Sequence, residues 1–411
     1  MTPSTKIKIR ALWVHAFASS ADSRHGGRHE RLKSDLSDHG IDVTIVACRK
    51  NHLNPTLSLS KTDMRANDRI WLPGFSSSLN NFARLINVLT FFIGLQTLRF
   101  KTMERVDFVV GSTPDPVAAW GAYLLSKRLG VPFALEVRDV WPETLIKVQS
   151  YRPWHPYILI LAALERRLFA RARVIISNLP NLESYVRSFG TKVPVLHAPN
   201  YIAKEDIISE IPASSRKPLR VIYAGSMGMA NDLETFLKAV EEIERKDLTA
   251  VLRVDIFGDG PLERQYEKKY AKLSSVTFHK RVSRVKVLNE MRKAHVGIIC
   301  WRNIDLYRHG ISANKLPDYL SSGLPVIIGY GYEHVIGTEG AGLLIRPENV
   351  DAMEKAIRTF IDLDDDAYQD MRSAAVRLAR EKYCFDGFSE LMVLHLKQLA
   401  NLSNGSKTNK R

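Results

Sequence analysis

Lys315 and Asp318 stand three residues apart within Gly310-Ile311-Ser312-Ala313-Asn314-Lys315-Leu316-Pro317-Asp318-Tyr319. On a helix that spacing sets a cation and a carboxylate on neighbouring faces of one turn. Together with the N–H groups at a helix start, Lys315 suits a diphosphate, and the Asp318 carboxylate suits the vicinal hydroxyls of a ribose. The helix expected from about Lys315 to Ser322 would close on Gly323 in a left-handed conformation. Pro325 cannot prolong it, and Val326-Ile327-Ile328 reads as a covered parallel strand. An ordinary helix–strand junction with a solvated Asp318 uses the same residues, so other segments decide between the two.

A second cluster is Glu136-Val137-Arg138-Asp139-Val140-Trp141-Pro142-Glu143, delivered by the apolar run Val131–Val137. Open α/β sheets bind ligands beyond the carboxyl ends of their strands, so four charges beside a Trp at such an end point to a ligand. The structural alternative is Arg138 bracing the loop against Asp139 or Glu143. Gly26-Gly27 opens a helix expected from His29 to His39, where bare backbone can approach a phosphate or sugar closely. A plain turn would look the same, and the dinucleotide fingerprint G-x-G-x-x-G is not there.

Holding these groups falls to strands and helices that alternate along the chain. Ile7–Val14, a glycine-bearing loop, a helix and Ile41–Cys48 make a βαβ unit. Residues 51–82 read as a polar excursion. Residues 84–99 read as a helix that is either a core element or one lying at a membrane interface. Strands at Asp107–Ser112, Val131–Val137, Val174–Ser177 and Val193–Leu196 alternate with helices, one of them expected over Tyr151–Ala170. The pattern predicts a first domain over 1–200 and a linker over 201–217. It then predicts a second domain over 218–384, a helix over 385–400 crossing back to the first domain, and a disordered tail over 401–411.

A length of 411 residues exceeds what one core usually holds. Cys48, Cys300 and Cys384 are scattered, which argues for a reducing compartment and against a disulfide framework. No secretory leader and no apolar run of spanning length is expected. Net charge is +15, and it is uneven: residues 1–200 hold 27 Lys and Arg against 15 Asp and Glu. A basic first half calls for an anionic partner such as phospholipid, a lipid pyrophosphate or nucleic acid. No helix-turn-helix or stacking platform supports nucleic acid.

Five motifs in order give a resemblance. They are the Gly26-Gly27 loop, Glu136 to Glu143, Tyr223-Ala224-Gly225-Ser226-Met227-Gly228, Phe257-Gly258-Asp259-Gly260-Pro261, and Asn314-Lys315-Leu316-Pro317-Asp318-Tyr319 continuing to Gly323-Leu324-Pro325-Val326. In this order they resemble the family 4 glycosyltransferases, nearest the bacterial enzymes that build O-antigen and capsule, amino-sugar transferases included. The resemblance implies an α/β chain of GT-B fold: two doubly wound, parallel-sheet, Rossmann-like domains facing across a cleft. It implies transfer, with retention, from a nucleotide sugar (a UDP-sugar first) to a lipid-linked or saccharide acceptor. No metal and no cofactor beyond that co-substrate is expected. The enzyme would sit on the cytoplasmic face of the cell membrane, its basic first domain on anionic lipid.

The catalytic residues this implies are Asp139, Arg138, Glu143 and Lys315. Donor binding would fall to Gly26, Gly27, Gly225, Ser226, Gly228, Gly258, Lys280, Arg281, Asn314, Lys315, Leu316 and Asp318. Three positions depart from the family. Its E-x7-E spacing puts the second Glu on Asp318 but the first on Gly310, and its usual Arg and Lys fall on Ser226 and Asn231. Lys315, Arg281 or Lys280, with N–H groups near Gly228, are the expected substitutes on the leaving diphosphate, where charge stabilisation is often the largest catalytic term. A UDP-sugar epimerase of the same architecture and a non-enzymatic basic module that binds membrane or nucleic acid are the alternatives.

Overall fold

The structure is a computed structural model, and it describes residues 8–18, 27–49, 69–74, 81–98, 105–211, 215–246 and 251–408. It divides into two units, Met1–Pro199 with Ser389–Arg411, and Asn200–Phe388.

The first unit carries β1 (Ile9–Val14), α1 (Arg28–Asp38), β2 (Ile41–Cys48), β3 (Arg69–Leu72), α2 (Asn81–Thr97), β4 (Phe108–Ser112) and α3 (Pro116–Leu129). It continues with β5 (Phe133–Val137), α4 (Glu143–Gln149), α5 (Pro156–Arg171), β6 (Ile175–Ser177), α6 (Leu182–Ser188) and β7 (Val195–His197). The seven strands lie in the order β3-β2-β1-β4-β5-β6-β7, and every pair is parallel. The chain therefore winds one way from β1 to β3 and the other way from β4 to β7. That reversal leaves a crevice beyond the carboxyl ends of β1 and β4. Local chemistry sets the ends of α3: Asp115 Oδ1 accepts the N–H groups of Val117 and Ala118, Pro116 opens the helix, and Gly130 closes it at φ 67°.

The second unit carries β8 (Leu219–Ala224), α7 (Leu233–Arg245), β9 (Leu252–Phe257), α8 (Glu263–Lys269), β10 (Val276–His279), α9 (Arg284–Met291) and β11 (Val296–Cys300). Then come α10 (Lys315–Ser321), β12 (Val326–Gly329), α11 (Val335–Thr338), β13 (Gly342–Ile345), α12 (Val350–Asp362) and α13 (Asp365–Lys382). Its strand order is β10-β9-β8-β11-β12-β13, again all parallel, with the reversal between β8 and β11. Val221 and Tyr223 of β8, Phe236 and Val240 of α7, and Ile357 and Phe360 of α12 belong to one fully buried core. The helix α14 (Phe385–Thr408) belongs to the second unit up to Phe388 and to the first from Ser389.

The segment leading into β8 is laced to the second unit. Ile202 bridges to Cys384, and its N–H donates to Tyr383 O (2.9 Å). Ile208 N–H donates to Ser321 O (2.9 Å). Arg216 donates to Phe360 O and to Asp365 (2.8 Å each) while its guanidinium lies 4.6 Å from the Tyr368 ring.

Three expectations need correction. The excursion over 51–82 contains β3, which pairs with β2 from Arg69 opposite Ile45 to Leu72 opposite Cys48; residues 51–68 and 75–80 lie outside the described residues. The helix expected over Tyr151–Ala170 begins instead at Pro156, where His155 accepts the Tyr157 N–H, and a separate α4 precedes it. The expected disordered tail is helical to Thr408, because buried Leu396, Leu399, Ala400 and Ser403 extend one covered face.

Candidate active-site residues in each unit

In the first unit a single carboxylate gathers the strand ends. Glu136, the penultimate residue of β5, is fully buried. Its Oε2 accepts from Trp13 Nε1 (3.1 Å) on β1 and from Ser112 Oγ (2.5 Å) on β4, and lies 2.9 Å from His29 Nε2 on α1. Arg28 Nε stands 3.6 Å from Oε1, and the Arg28 guanidinium also donates to the carbonyls of Ala198 and Pro199. The helix entrance behind Gly27 is thus tied to the ends of β1, β4, β5 and β7. Burial alone would push the Glu136 carboxyl up, but His29, Arg28 and Arg138 together hold it well below the usual carboxylate range. Burial lowers both His15 and His29, with Glu136 opposing it in each.

His15, His29 and Glu136 form a set of donor types that metals use, their ligand atoms within 4.8 Å of one another. The surroundings oppose a dication. Glu136 Oε2 already holds three partners, Arg28 sits beside Oε1, and Arg138 Nη1 lies 3.1 Å from His15 Nε2.

Asp139, Arg138 and Glu143 follow directly. Arg138 turns to His15 and, through its backbone N–H, to Thr113 Oγ1 (3.2 Å). Asp139 is exposed, yet crowding by protein raises its carboxyl, with Arg138 opposing. Glu143 opens α4. Gly27 stands at the N-cap of α1, and Gly26 lies outside the described residues.

In the second unit Lys315, Gly225 and Gly258 come together. Tyr319, fully buried on α10, accepts the Ala224 N–H through its hydroxyl (2.8 Å), which locks the helix onto the end of β8. One turn earlier Lys315 therefore lies on the turn after β8. Its Nζ is 3.9 Å from the Tyr223 ring centroid, and a Cβ on Gly225 would come within 2.8 Å of it. A Cβ on Gly258 would meet the Gly225 carbonyl at 1.9 Å, so these two glycines let the turns after β8 and β9 interlock. The Lys315 ammonium is buried and has no hydrogen-bond partner among the described residues. Burial brings its pKa down to about 7, with the Cys300 thiol a small opposing influence.

The remaining donor-site expectations disperse. Asp318 accepts from Arg284 Nη2 (2.6 Å), and Arg284 also reaches Asp206 (3.1 Å), so this carboxylate is engaged. Arg281 pairs with Asp259 (2.6 Å) at the surface, and Lys280 is exposed. Leu316 is buried, and Asn314 is exposed at the start of α10. Ser226 is exposed; its carbonyl accepts from Tyr223 Oη (2.7 Å), while Gly228 follows buried Met227. Gly310 sits at φ 98°, ψ 167°, a region that is essentially glycine-only. A side chain at this position would be strained.

Reading the sequence missed Tyr223 as the ring beneath Lys315, Arg284 as the partner of Asp318, and Arg28 and His29 around Glu136. Only the last left a signal, two ionisable residues directly after Gly27.

Residues 28–200 match the model of a glycosyl transferase 4-like domain, and residues 218–362 that of glycosyl transferases group 1. Among solved structures the chain is similar to sucrose-phosphate synthase from Thermosynechococcus elongatus, at 13% identity over 95% of this chain and 99% of that one, with a TM-score of 0.73. It is also similar to WaaG, a glycosyltransferase involved in lipopolysaccharide biosynthesis (16% identity, 97% and 100% covered, TM-score 0.64). Anabaena HepE in complex with UDP and glucose is a third likeness (12% identity, 97% and 100% covered, TM-score 0.59). No curated protein matches the chain. At these identities the structural likeness establishes the GT-B fold.

Proposed function

This chain belongs to the family 4 glycosyltransferases, and on that premise we propose that it moves a hexosyl or amino-sugar residue from a UDP-sugar to a lipid-linked or saccharide acceptor. Transfer would retain the anomeric configuration, need no metal, and serve bacterial surface polysaccharide such as O-antigen or capsule. The observation that carries the donor assignment is Lys315: a buried ammonium without a hydrogen-bond partner among the described residues, set against a glycine turn at the end of β8. A desolvated cation binds an incoming diphosphate far more strongly than an exposed one would. Lys315 lies against Gly225, immediately before Ser226, so it supplies charge close to where the family's usual arginine is missing. In this reading the C1–O bond breaks toward the diphosphate, and Lys315 takes up the charge that develops there. The acceptor oxygen, oriented by Asp139 with Arg138 and Glu143 in support, bonds C1 on the same face. Its proton leaves with the phosphate oxygen.

The first unit supports a membrane-bound acceptor. Leu85, Ile86, Leu89 and Ile93 are exposed on α2, and Trp154, Tyr157, Leu159 and Ile160 at the start of α5; Arg152, Arg166, Arg167 and Arg171 are exposed nearby in sequence. Exposed apolar groups with basic neighbours suit the surface of an anionic bilayer on its cytoplasmic face. No helix of the described residues is long and apolar enough to cross a membrane.

The test is UDP release and sugar transfer by purified protein with a panel of UDP-sugars and a polyprenyl-pyrophosphate-linked acceptor. Transfer with retention supports the reading; absence of transfer from every donor sinks it. Deuterium entering the UDP-sugar without acceptor would replace it with epimerisation.

A further inference from the structure

Neither charge cluster uses Glu165, although it is almost completely buried on α5. Ile158, Leu161 and Glu165 follow at spacings of three and four, so they share one face of the helix. Ile158 and Leu161 pack in a cluster with Leu145, Trp141, Ile146 and Tyr151. That cluster is the seat of the segment that follows Asp139. Glu165 ends the stripe with a polar group: Tyr185 Oη on α6 lies 2.7 Å from its Oε2, and the Trp141 backbone N–H donates to its carboxyl. The charge facing it is Glu143 at the start of α4, of the same sign as an ionised Glu165. Phe169 and Phe189, packed edge-on against the Tyr185 ring, add no charge.

We propose that Glu165 is a positioning residue: it fastens the Trp141 backbone and Tyr185 to α5 and so holds the Asp139–Glu143 segment in its working place. The role in catalysis rests on the glycosyltransfer reading above; the fastening does not. The Tyr185 hydroxyl and the Trp141 N–H both donate to this carboxyl, whose oxygens accept in the neutral form as well. An ionised one would be a buried charge facing the like charge of Glu143, which these two donors offset only in part. Burial pushes this carboxyl up to about 8, Tyr185 opposing and Glu143 adding. The native state therefore keeps a proton that the unfolded chain releases, and between about 4.5 and 8 this residue makes stability fall as pH rises.

The experiment compares wild type, Glu165→Gln and Glu165→Ala between about pH 5 and 9. Gln keeps the neutral acid's donor and acceptor, so its kcat at pH 7 should stay within about twofold of wild type. Above pH 8 wild type should lose kcat relative to E165Q, reaching about tenfold at pH 9, where ionisation is about nine-tenths complete. The donor KM should be little changed. E165A should lose about tenfold in kcat at every pH while remaining folded. In melting curves, E165Q should gain on wild type steadily from pH 5 to 8. A constant ratio of the two kcat profiles, or full activity in folded E165A, overturns the positioning role. If no protein transfers sugar, the enzymatic reading is what fails, and the melting curves still decide: a constant Tm difference from pH 5 to 8 overturns the neutral fastening.

Discussion

Both units bury a charge at the carboxyl ends of their parallel strands, and they treat it in opposite ways. Glu136 is enclosed by Trp13 of β1, Ser112 of β4, and Arg28 and His29 of the first turn of α1. Lys315 has a tyrosine ring beneath it, a glycine turn beside it, and no hydrogen-bond partner among the described residues. Glu136 has three groups on Oε2 and the Arg28 guanidinium beside Oε1, although Oε1 itself accepts no hydrogen bond among the described residues, and removing the carboxylate leaves those neighbours stranded. A buried charge whose bonds are not made destabilises the free protein and is relieved by an anion. The contrast is the ground for proposing Lys315, and not Glu136, as a residue that meets a ligand.

The largest effect should come from breaking the framework. Glu136→Ala should lower stability by about 3–5 kcal/mol, as expected for one partner removed from a buried ionic cluster, read as a drop in the urea midpoint. Lys315→Met should act in the other sense. Its kcat should fall by about 10²–10³, the usual effect of losing one charge-stabilising group, while its urea midpoint stays level or rises. Equal destabilisation in the two variants would erase the contrast.

Gly310→Glu, which writes back the family's acidic residue, should cost about 1–3 kcal/mol of stability because φ 98° and ψ 167° are foreign to a side-chain-bearing residue. It should bring no gain in turnover.

The smallest effect is in pH. With its folded pKa near 7 against an ordinary 10.5, Lys315 loses its proton in the native state first. Its contribution makes stability rise from pH 7 to 10.5. UDP affinity should fall by about tenfold per pH unit above 7, since the anion prefers the protonated amine. The same titration of K315M, followed by calorimetry, should be flat.

What could be read from the sequence follows from where each signal resides. Ile41–Cys48 is an apolar run with turns at both ends, and it is β2 to the residue. Gly130 and Gly323 end helices because the required backbone is local to them. β3 escaped because, among the described residues, it is an edge strand paired with β2 alone, and Arg69 and Trp71 do not alternate like a covered strand. The partners that define the site escaped for a different reason. Tyr223 meets Lys315 and Arg284 meets Asp318 only after β8, α9 and α10 have come together. Charge and spacing along the chain nominate Lys315, whereas its lack of a hydrogen-bond partner exists only in three dimensions.

The lacing of residues 202–216 bears on how the molecule can be cut. Pro218, where the second family match begins, looks like the natural place to sever the chain. A fragment starting there would lack Ile202 beside Cys384, Ile208 on the end of α10, and the Arg216 clasp on the α12–α13 corner. The helix that bears Lys315 would lose a brace, and weak nucleotide binding by such a fragment would report the cut and not the site. A fragment opened at Asn200 keeps all three.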